Sequence, residues 1–275
     1  MDAKRILFIT QELAPYLETS EIAAISRKLA PGIQDRGREI RTFMPRFGSI
    51  NERRNQLHEV IRLSGMNLII DDTDYPLIIK VASLQPARMQ VYFIENDEFA
   101  QKKAPYCNED GTEYEDNDER CVFFVRGVLE TVKKLRWNPD LIHCHGWMTA
   151  LTALYIKKHY YDNPCFAKTK VVYSIYENGH NTPFNETFAK KVMVPGIENG
   201  DLDSILSAQD YAALNKLAID HCDGVIQGSE NIDKEMAEYA AKKGKPFLPY
   251  QGDSGYVETF DDFYNEIMKA EKAAV

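Results

Sequence analysis

RILFITQELAPYLETSEIAAISRKLAPGIQDRGREIRTFMP, residues 5–45, decides the fold. Arg5 to Thr10 is β-branched and alternates little, as suits a strand covered on both faces. From Ser20 to Arg36 the apolar residues Ile22, Ala23, Ile25, Leu29, Ala30 and Ile33 follow helical spacing. Ser20 stands where an N-cap belongs, and Gly37 where a C-cap glycine does. Glu39 to Met44 reads as a second strand, stopped by Pro45. A strand-helix-strand unit of this kind predicts a parallel sheet with a right-handed crossover.

Outward from this unit the pattern changes and then returns. Between Leu57 and Ile94 the runs VIRL, LII, LIIKVA and QVYFI have no helices between them, which predicts an antiparallel meander on the sheet edge. Asn108 to Glu119 is polar and acidic and reads as a surface loop. Helices are expected over Arg120–Leu135, Met148–His159, Tyr211–Asp220 and Asn231–Lys242, the last opened by Ser229. Strands are expected over Leu141–Cys144, Val171–Ile175 and Gly224–Gln227, and an acidic amphipathic helix over Phe260–Ala270. No internal repeat or linker interrupts residues 1–275, so one doubly wound α/β domain is expected. Ligands of such folds sit at the carboxyl ends of strands, here in the loops after Thr10, Cys144 and Ile175.

Bulk properties narrow the function classes. The 275 residues are 44% hydrophobic, enough for a large core. No apolar run approaches the roughly 20 residues of a membrane span. The short run after Lys4-Arg5 ends at Gln11-Glu12, which fits a first buried strand better than a signal peptide. A net charge of −9 argues against nucleic acid and anionic membrane as partners. Cys107, Cys121, Cys144, Cys165 and Cys222 contain no CxxC pair, so reduced thiols and a cytoplasmic protein are expected.

No GxGxxG, GxxxxGK[ST] or GxSxG motif is present. Asp71-Asp72-Thr73-Asp74 contains a DxD of the kind that can hold a divalent metal, but it lies between two strand-like runs and reads as a solvated turn. His143-Cys144-His145-Gly146-Trp147 ends a predicted strand, with His143 and His145 on one face and Cys144 on the other. No further zinc ligands are evident, so neither metal nor cofactor is expected. Two readings of this segment stay open: a ligand crevice, or a packed Trp147 beside hydrogen-bonded imidazoles.

PDLIHCHGWMTAL, Pro139 to Leu151, resembles the Pro-Asp-x-x-His-x-His-Asp-Trp-x-Thr-x-Leu segment of bacterial glycogen synthases and plant starch synthases. YEDNDERCVFFVRGVLE, Tyr114 to Glu130, is similar to that family's Asp-Asn-x-x-Arg-Phe-x-x-Phe-x-x-x-x-Leu-Glu helix. ILFITQELAPY resembles its first strand and Glu-x-x-Pro loop, and DRGREIRTFMPRFG, Asp35 to Gly48, its second strand unit. NKLAIDHCDGVIQGSENIDKEM, ending at Met236, resembles its late helix-strand-helix. The matches fall in family order. The resemblance implies the Rossmann-like N-terminal lobe of a GT-B glycosyltransferase. It also implies transfer of glucose from ADP-glucose or UDP-glucose to an α-1,4-glucan, without metal. The family's chains are nearly twice as long, and the nucleotide-sugar lobe is expected to be absent before Val275.

Departures from the family pattern fall where its chemistry lies. After Glu-x-x-Pro the family carries Lys-x-Gly-Gly-Leu and then Asp. The corresponding positions here are Glu18, Ser20, Glu21 and Ala24. Glycines let backbone N–H groups approach phosphate at a helix N-terminus, whereas Ser20 and Glu21 obstruct it and Glu18 replaces a cation with an anion. Gly146 replaces the Asp of His-Asp-Trp, and Tyr176 replaces a sugar-contacting His. The resemblance implies His145, Trp147, Tyr176, Tyr114, Asn117 and Arg120 as saccharide-binding residues. A concave, partly apolar face is expected to gather Tyr16, His145, Trp147, Tyr176 and Asn178. The expected function is a glucan-binding or regulatory relative without autonomous transfer. Its expected partners are α-1,4-glucan or maltooligosaccharide and a full-length synthase. The alternative is an active glucosyltransferase split between this lobe and a second one supplied in trans.

Overall fold

The strand-helix-strand unit forms where its pattern places it: β1 spans Arg5–Thr10, α1 Glu21–Asp35 and β2 Glu39–Pro45. The structure is a computed structural model that describes residues 4–18, 20–177, 179–252 and 254–270. β1 and β2 pair in parallel from Arg5↔Glu39 to Ile9↔Phe43. The expected meander follows as β3 (His58–Glu59), β4 (Met66–Ile70), β5 (Thr73–Leu84) and β6 (Met89–Glu95). β3, β4 and β6 all pair antiparallel with β5, while β6 joins β2 in parallel. Within the meander β5 alone therefore runs against the rest of the sheet, while β3, β4 and β6 run with it.

A short helix α2 (Asp97–Ala100) leads to α3 (Asn117–Leu135) and β7 (Leu141–His145). Next come a 3-10 turn (Trp147–Thr149), a single turn α4 (Thr152–Leu154), a π turn (Tyr155–His159) and β8 (Lys170–Ile175). The chain continues through α5 (Phe188–Val192), α6 (Asp203–Ser207), α7 (Tyr211–His221), β9 (Gly224–Gln227), α8 (Lys234–Lys242), β10 (Phe247–Leu248) and α9 (Tyr256–Lys269). The sheet order is β10-β9-β8-β7-β1-β2-β6-β5-β3, with β4 on β5. After β1 the chain builds outward through β2, then restarts on the other side at β7. This is a Rossmann-like doubly wound sheet whose order reverses between β1 and β7, the place where such folds form a ligand crevice.

The central strands are covered on both faces. Ile6, Leu7, Ile9, Leu141, Ile142, Val171 and Val172 are fully buried, each such aliphatic side chain contributing about 1.5–3 kcal/mol. α1 and α9 pack together on one face of the sheet. There Gly32 leaves room for Val257, and Asp261 takes hydrogen bonds from Arg36 and Arg38. α3 runs over the other face, and Lys191 of α5 is held to it by the fully buried Asp118 at 2.8 Å. The five cysteines are free.

Four boundaries differ from expectation, one of them that of α9, which begins at Tyr256 instead of Phe260. The single helix expected over Met148–His159 is broken because Thr149 and Thr152 hydroxyls donate to the carbonyls of Gly146 and Thr149, both at 2.7 Å. Such local bonds compete with the helical ladder. α8 starts at Lys234 instead of Asn231, with Asp233 as its cap accepting from Glu235 N, because the Ser229 hydroxyl is engaged elsewhere. α3 begins at Asn117, inside the stretch expected as loop. Asp71 and Asp72 turn the β4–β5 hairpin, where Asp71 pairs with Lys190 at 2.7 Å. Among the described residues no helix is long and apolar enough to cross a membrane.

Candidate functional site

Strand register brings two histidines to the crevice. Phe8 pairs with His143 and Thr10 with His145, and His145 pairs with Ser174 on the other side. The two imidazoles share one face as alternation requires, with ring centroids 3.8 Å apart. His143 Nδ1 lies 2.6 Å from the Tyr264 hydroxyl and its Nε2 2.7 Å from Ser174 Oγ. His145 Nδ1 lies 2.7 Å from the Tyr176 hydroxyl. Burial pushes the His145 pKa down to about 3 and that of His143 well below the usual imidazole range, so both rings are neutral at pH 7. Three of the four ring nitrogens are engaged by hydroxyls. Among the described residues no group of three or more His, Cys, Asp or Glu side chains is placed to hold a metal.

The loop after β1 turns its polar groups inward. Glu12 is buried and accepts from the Tyr106 hydroxyl at 3.0 Å and from Ser20 Oγ at 2.7 Å. Ser20 is the N-cap of α1 by position, but its hydroxyl serves Glu12 and does not cap the helix. Glu21, on the first turn of α1, accepts a hydrogen bond from Ser229 Oγ beyond β9. That hydroxyl also accepts from Glu177 N at 2.8 Å. Glu18 is exposed before the helix and Ala24 is exposed on it.

Gly146 explains the loss of the family's Asp. Its φ of 86° is strained for residues with a side chain, and a Cβ there would collide with the Gln11 side chain. Gln11 Oε1 instead accepts from Met148 N at 3.3 Å, capping the 3-10 turn that a residue-146 side chain would otherwise cap.

The expected exposed aromatic face is not formed. Tyr16, His145, Trp147 and Tyr176 are all buried, and Asn178 lies outside the described residues. Trp147 is 1% exposed because Tyr106, His180 and Phe184 surround its ring. Tyr176 fills the space beside Gly228, where an added Cβ would meet its ring at 2.6 Å. Asn117 and Arg120 are buried as well, and Arg120 Nη1 donates to Asn117 Oδ1 at 2.8 Å in place of an ion pair with Glu119 or Asp116. Tyr114 is half-buried, with Lys102 4.3 Å above its ring and Arg120 5.4 Å away. It lines an open surface cavity of about 960 Å³ with Lys102, Asn108 and Asp116. Of the six residues expected at saccharide, Tyr114 is the one that is more than slightly exposed, while the buried Tyr176 lines a second cavity of about 520 Å³ with His180, Tyr211 and Met236. His145, Trp147, Tyr176, Asn117 and Arg120 form the layer beneath.

Sequence reasoning passed over Gln11, Glu113 and Tyr264, and read Ser229 only as a helix opener. Glu113 clasps the loop after β8, accepting from the backbone N–H groups of Asn181 and Thr182 at 2.9 and 2.8 Å. Burial alone would raise its carboxyl, but these bonds, the Thr182 hydroxyl and nearby His180 together hold it below the usual range. Glu12 lay within the Glu-x-x-Pro segment and could have been found there. The other four had no local motif, because their partners are distant in sequence.

The sheet order and its strand-end crevice define the class as a Rossmann-like lobe of the GT-B type. Residues 5–246 match the starch synthase catalytic domain family, and the chain belongs to that family. The glycogen synthase of Chlorobaculum tepidum is 30% identical over 235 residues, covering 85% of this chain and 47% of that protein. That of Chlorobium limicola is 32% identical over 173 residues, covering 62% of this chain and 35% of the relative. The chain therefore spans about half or less of the length of the curated relatives it matches. The catalytic domain of starch synthase IV from Arabidopsis thaliana, bound to ADP and acarbose, superposes with a TM-score of 0.68. It is 19% identical, and the match covers 90% of this chain and 51% of that one.

Proposed function

We propose that this lobe binds α-1,4-glucan and has no glucosyl transfer of its own, acting as a glucan-binding or regulatory relative of the synthases. The observation that carries this is the hydrogen bond from Ser229 to Glu21. The N-terminus of α1 has the dipole and free N–H groups that favour a phosphate. A carboxylate already stands on its first turn and is tied across the strand ends, with Glu18 before it. Preorganised positive charge and backbone donors usually supply most of the rate enhancement in transfers of this kind, and here the local charge has the wrong sign. The scaffold around the acceptor side is better kept: Tyr114, Asn117 and Arg120 form one connected group beside an open cavity. Acarbose bound to a protein of the same fold supports a maltooligosaccharide as the ligand class. A full-length synthase is the protein partner this role calls for.

A second reading rests on the family itself, whose matched relatives are glycogen synthases. In it, a nucleotide-sugar lobe supplied in trans completes an active glucosyltransferase. One assay separates the two. ADP-glucose and UDP-glucose are offered with glycogen to the pure chain, with and without candidate second chains, beside a maltoheptaose titration. Background turnover with millimolar maltoheptaose binding is expected. Turnover by the pure chain, abolished by changing His145 or Tyr176, would overturn the proposal, and turnover only with a second chain would establish the split enzyme.

A further inference from the structure

Beyond the ends of β8 and β9 lies the cavity of about 520 Å³, which neither His143 nor His145 lines. Its walls include Tyr176, Tyr211, Ile232 and Met236, and it carries three exposed carboxylates, Glu177, Asp210 and Asp233. These come from the loop after β8 and from the N-caps of α7 and α8. The surrounding backbone is fixed. The Tyr211 hydroxyl donates to the Tyr176 carbonyl at 2.8 Å, and Glu113 holds the backbone of Asn181 and Thr182 on the same cavity. Asp210 and Asp233 each cap a helix with one oxygen, accepting from Ala213 N at 2.8 Å and Glu235 N at 2.9 Å. The cavity is thus preformed, and its volume falls in the range of roughly 300–1,000 Å³ usual for small-molecule sites.

Its charge is one-sided. No Lys or Arg lines it among the described residues. His180, which does line it, is kept largely neutral at pH 7 because burial lowers its pKa. Lys216 of α7 is already paired with Glu235 at 2.6 Å. Among the described residues none of the three carboxylates forms an ion pair, whereas the carboxylates of Glu95, Asp118 and Asp261 each have a cation within 3 Å. The N-termini of α7 and α8 supply about half a positive charge each, less than the three negative charges beside them. A cleft of one charge sign with low-dielectric walls concentrates ions of the other sign, so an anionic ligand is disfavoured. A single metal ion does not fit either: among the described residues no three carboxylates converge closely enough to hold one.

We propose that this cavity binds an extended organic polycation, with several ammonium groups carried on an aliphatic chain. The methylenes lie against Ile232 and Met236, and the ammonium groups reach Glu177, Asp210 and Asp233. The carboxylates' spread, which rules out one small ion, suits charges spaced along a chain. The site stands apart from the glucan-binding reading and does not depend on it.

Spermidine is the probe, with 1,8-octanediol as an uncharged chain of similar length. Methyl NMR on the full-length chain at pH 7 follows the Met236 and Ile232 methyl groups. Spermidine should shift both, and its affinity should fall severalfold as salt is raised, while the diol at the same concentration should shift neither. Glu177→Gln, Asp210→Asn and Asp233→Asn remove the charges, and asparagine caps a helix as well as aspartate does. Each should weaken spermidine about two- to fivefold, the range for an exposed ion pair, and the triple variant roughly tenfold or more if the effects add. Should the triple variant not fold, the single variants decide. Spermidine that moves neither methyl group would overturn the proposal, because binding would then be to the acidic surface at large. So would a diol that moves them as strongly, or folded neutral variants that bind spermidine unchanged. Maltoheptaose moving these methyl groups in place of spermidine would reassign the cavity to saccharide and overturn it too.

Discussion

The carboxylate of Glu21, on the first turn of α1, accepts a hydrogen bond from Ser229 Oγ, the same hydroxyl that receives Glu177 N at 2.8 Å. Loops after β1, β8 and β9 are thereby tied at one atom. Restoring Glu18→Lys, Ser20→Gly and Glu21→Gly together should free the helix N-terminus and return a cation. Regaining one charge-assisted bond, about 1.5–3 kcal/mol, is about a ten- to hundredfold gain in ADP-glucose affinity at roughly 1.4 kcal/mol per decade. Calorimetric titration measures it. An unchanged affinity would show that these positions do not govern donor binding.

Tyr114 and Trp147 should separate binding from stability. Tyr114 stands at the surface cavity, so Tyr114→Ala should weaken maltoheptaose severalfold and leave the melting temperature nearly unchanged. Trp147 is 1% exposed and packed on three rings. Trp147→Ala should therefore cost about 3–5 kcal/mol of stability, visible in urea unfolding. A stable Trp147→Ala protein that has lost only maltoheptaose binding would place the indole at the ligand instead.

The parts of this fold that could be read from sequence are those with a local period. β1, α1, β2, β7, β8 and β9 carry their burial in their own spacing. α5 and α6 are five residues each, too short to show a helical face, and β10 is two residues set by pairing with β9. The site was legible as positions but not as contacts. His143 and His145 announce themselves by alternation, while their partners Tyr264 and Tyr176 lie 121 and 31 residues away. Trp147 and Tyr176 resemble ligand residues by motif, yet tertiary packing buries both: neighbouring rings enclose Trp147, and Gly228 packs on Tyr176, which keeps only an edge on a cavity of about 520 Å³.

Stability should fall as the solution is acidified through the histidine range. The folded pKa of His145 is about 3 and that of His143 is also far depressed, in both cases chiefly by burial. Unfolded imidazoles titrate near 6.5, so below that pH the unfolded chain binds protons the folded chain refuses. Each neutral histidine then removes about 1.4 kcal/mol per pH unit, or about 3 kcal/mol per unit for the pair, as pH drops from about 6 to 5. His180 and His221, also depressed mainly by burial, add in the same direction. Urea unfolding at pH 7, 6 and 5 should show the slope, and His145→Gln should reduce it by one histidine's share. A flat profile over this range would mean that the rings are protonated in the folded state.

Gly146 and Gln11 should behave as a coupled pair. Gly146→Asp restores the family's residue but places a side chain at a φ of 86° and against the Gln11 amide. Alone it should cost about 1–3 kcal/mol, the range for overpacking a filled site. Gln11→Ala alone removes the acceptor of Met148 N, leaving a buried donor unpaired at about 1–3 kcal/mol. In the double variant the space vacated by Gln11 admits the new carboxylate, which can accept from the same turn. The combined loss should then be smaller than the sum of the two, by an interaction energy of about 0.5–3 kcal/mol for residues in direct contact. Denaturant midpoints of the four proteins measure it. Strict additivity would show that Gln11 does not occupy the place of the family's Asp, and that the glycine is required by backbone conformation alone.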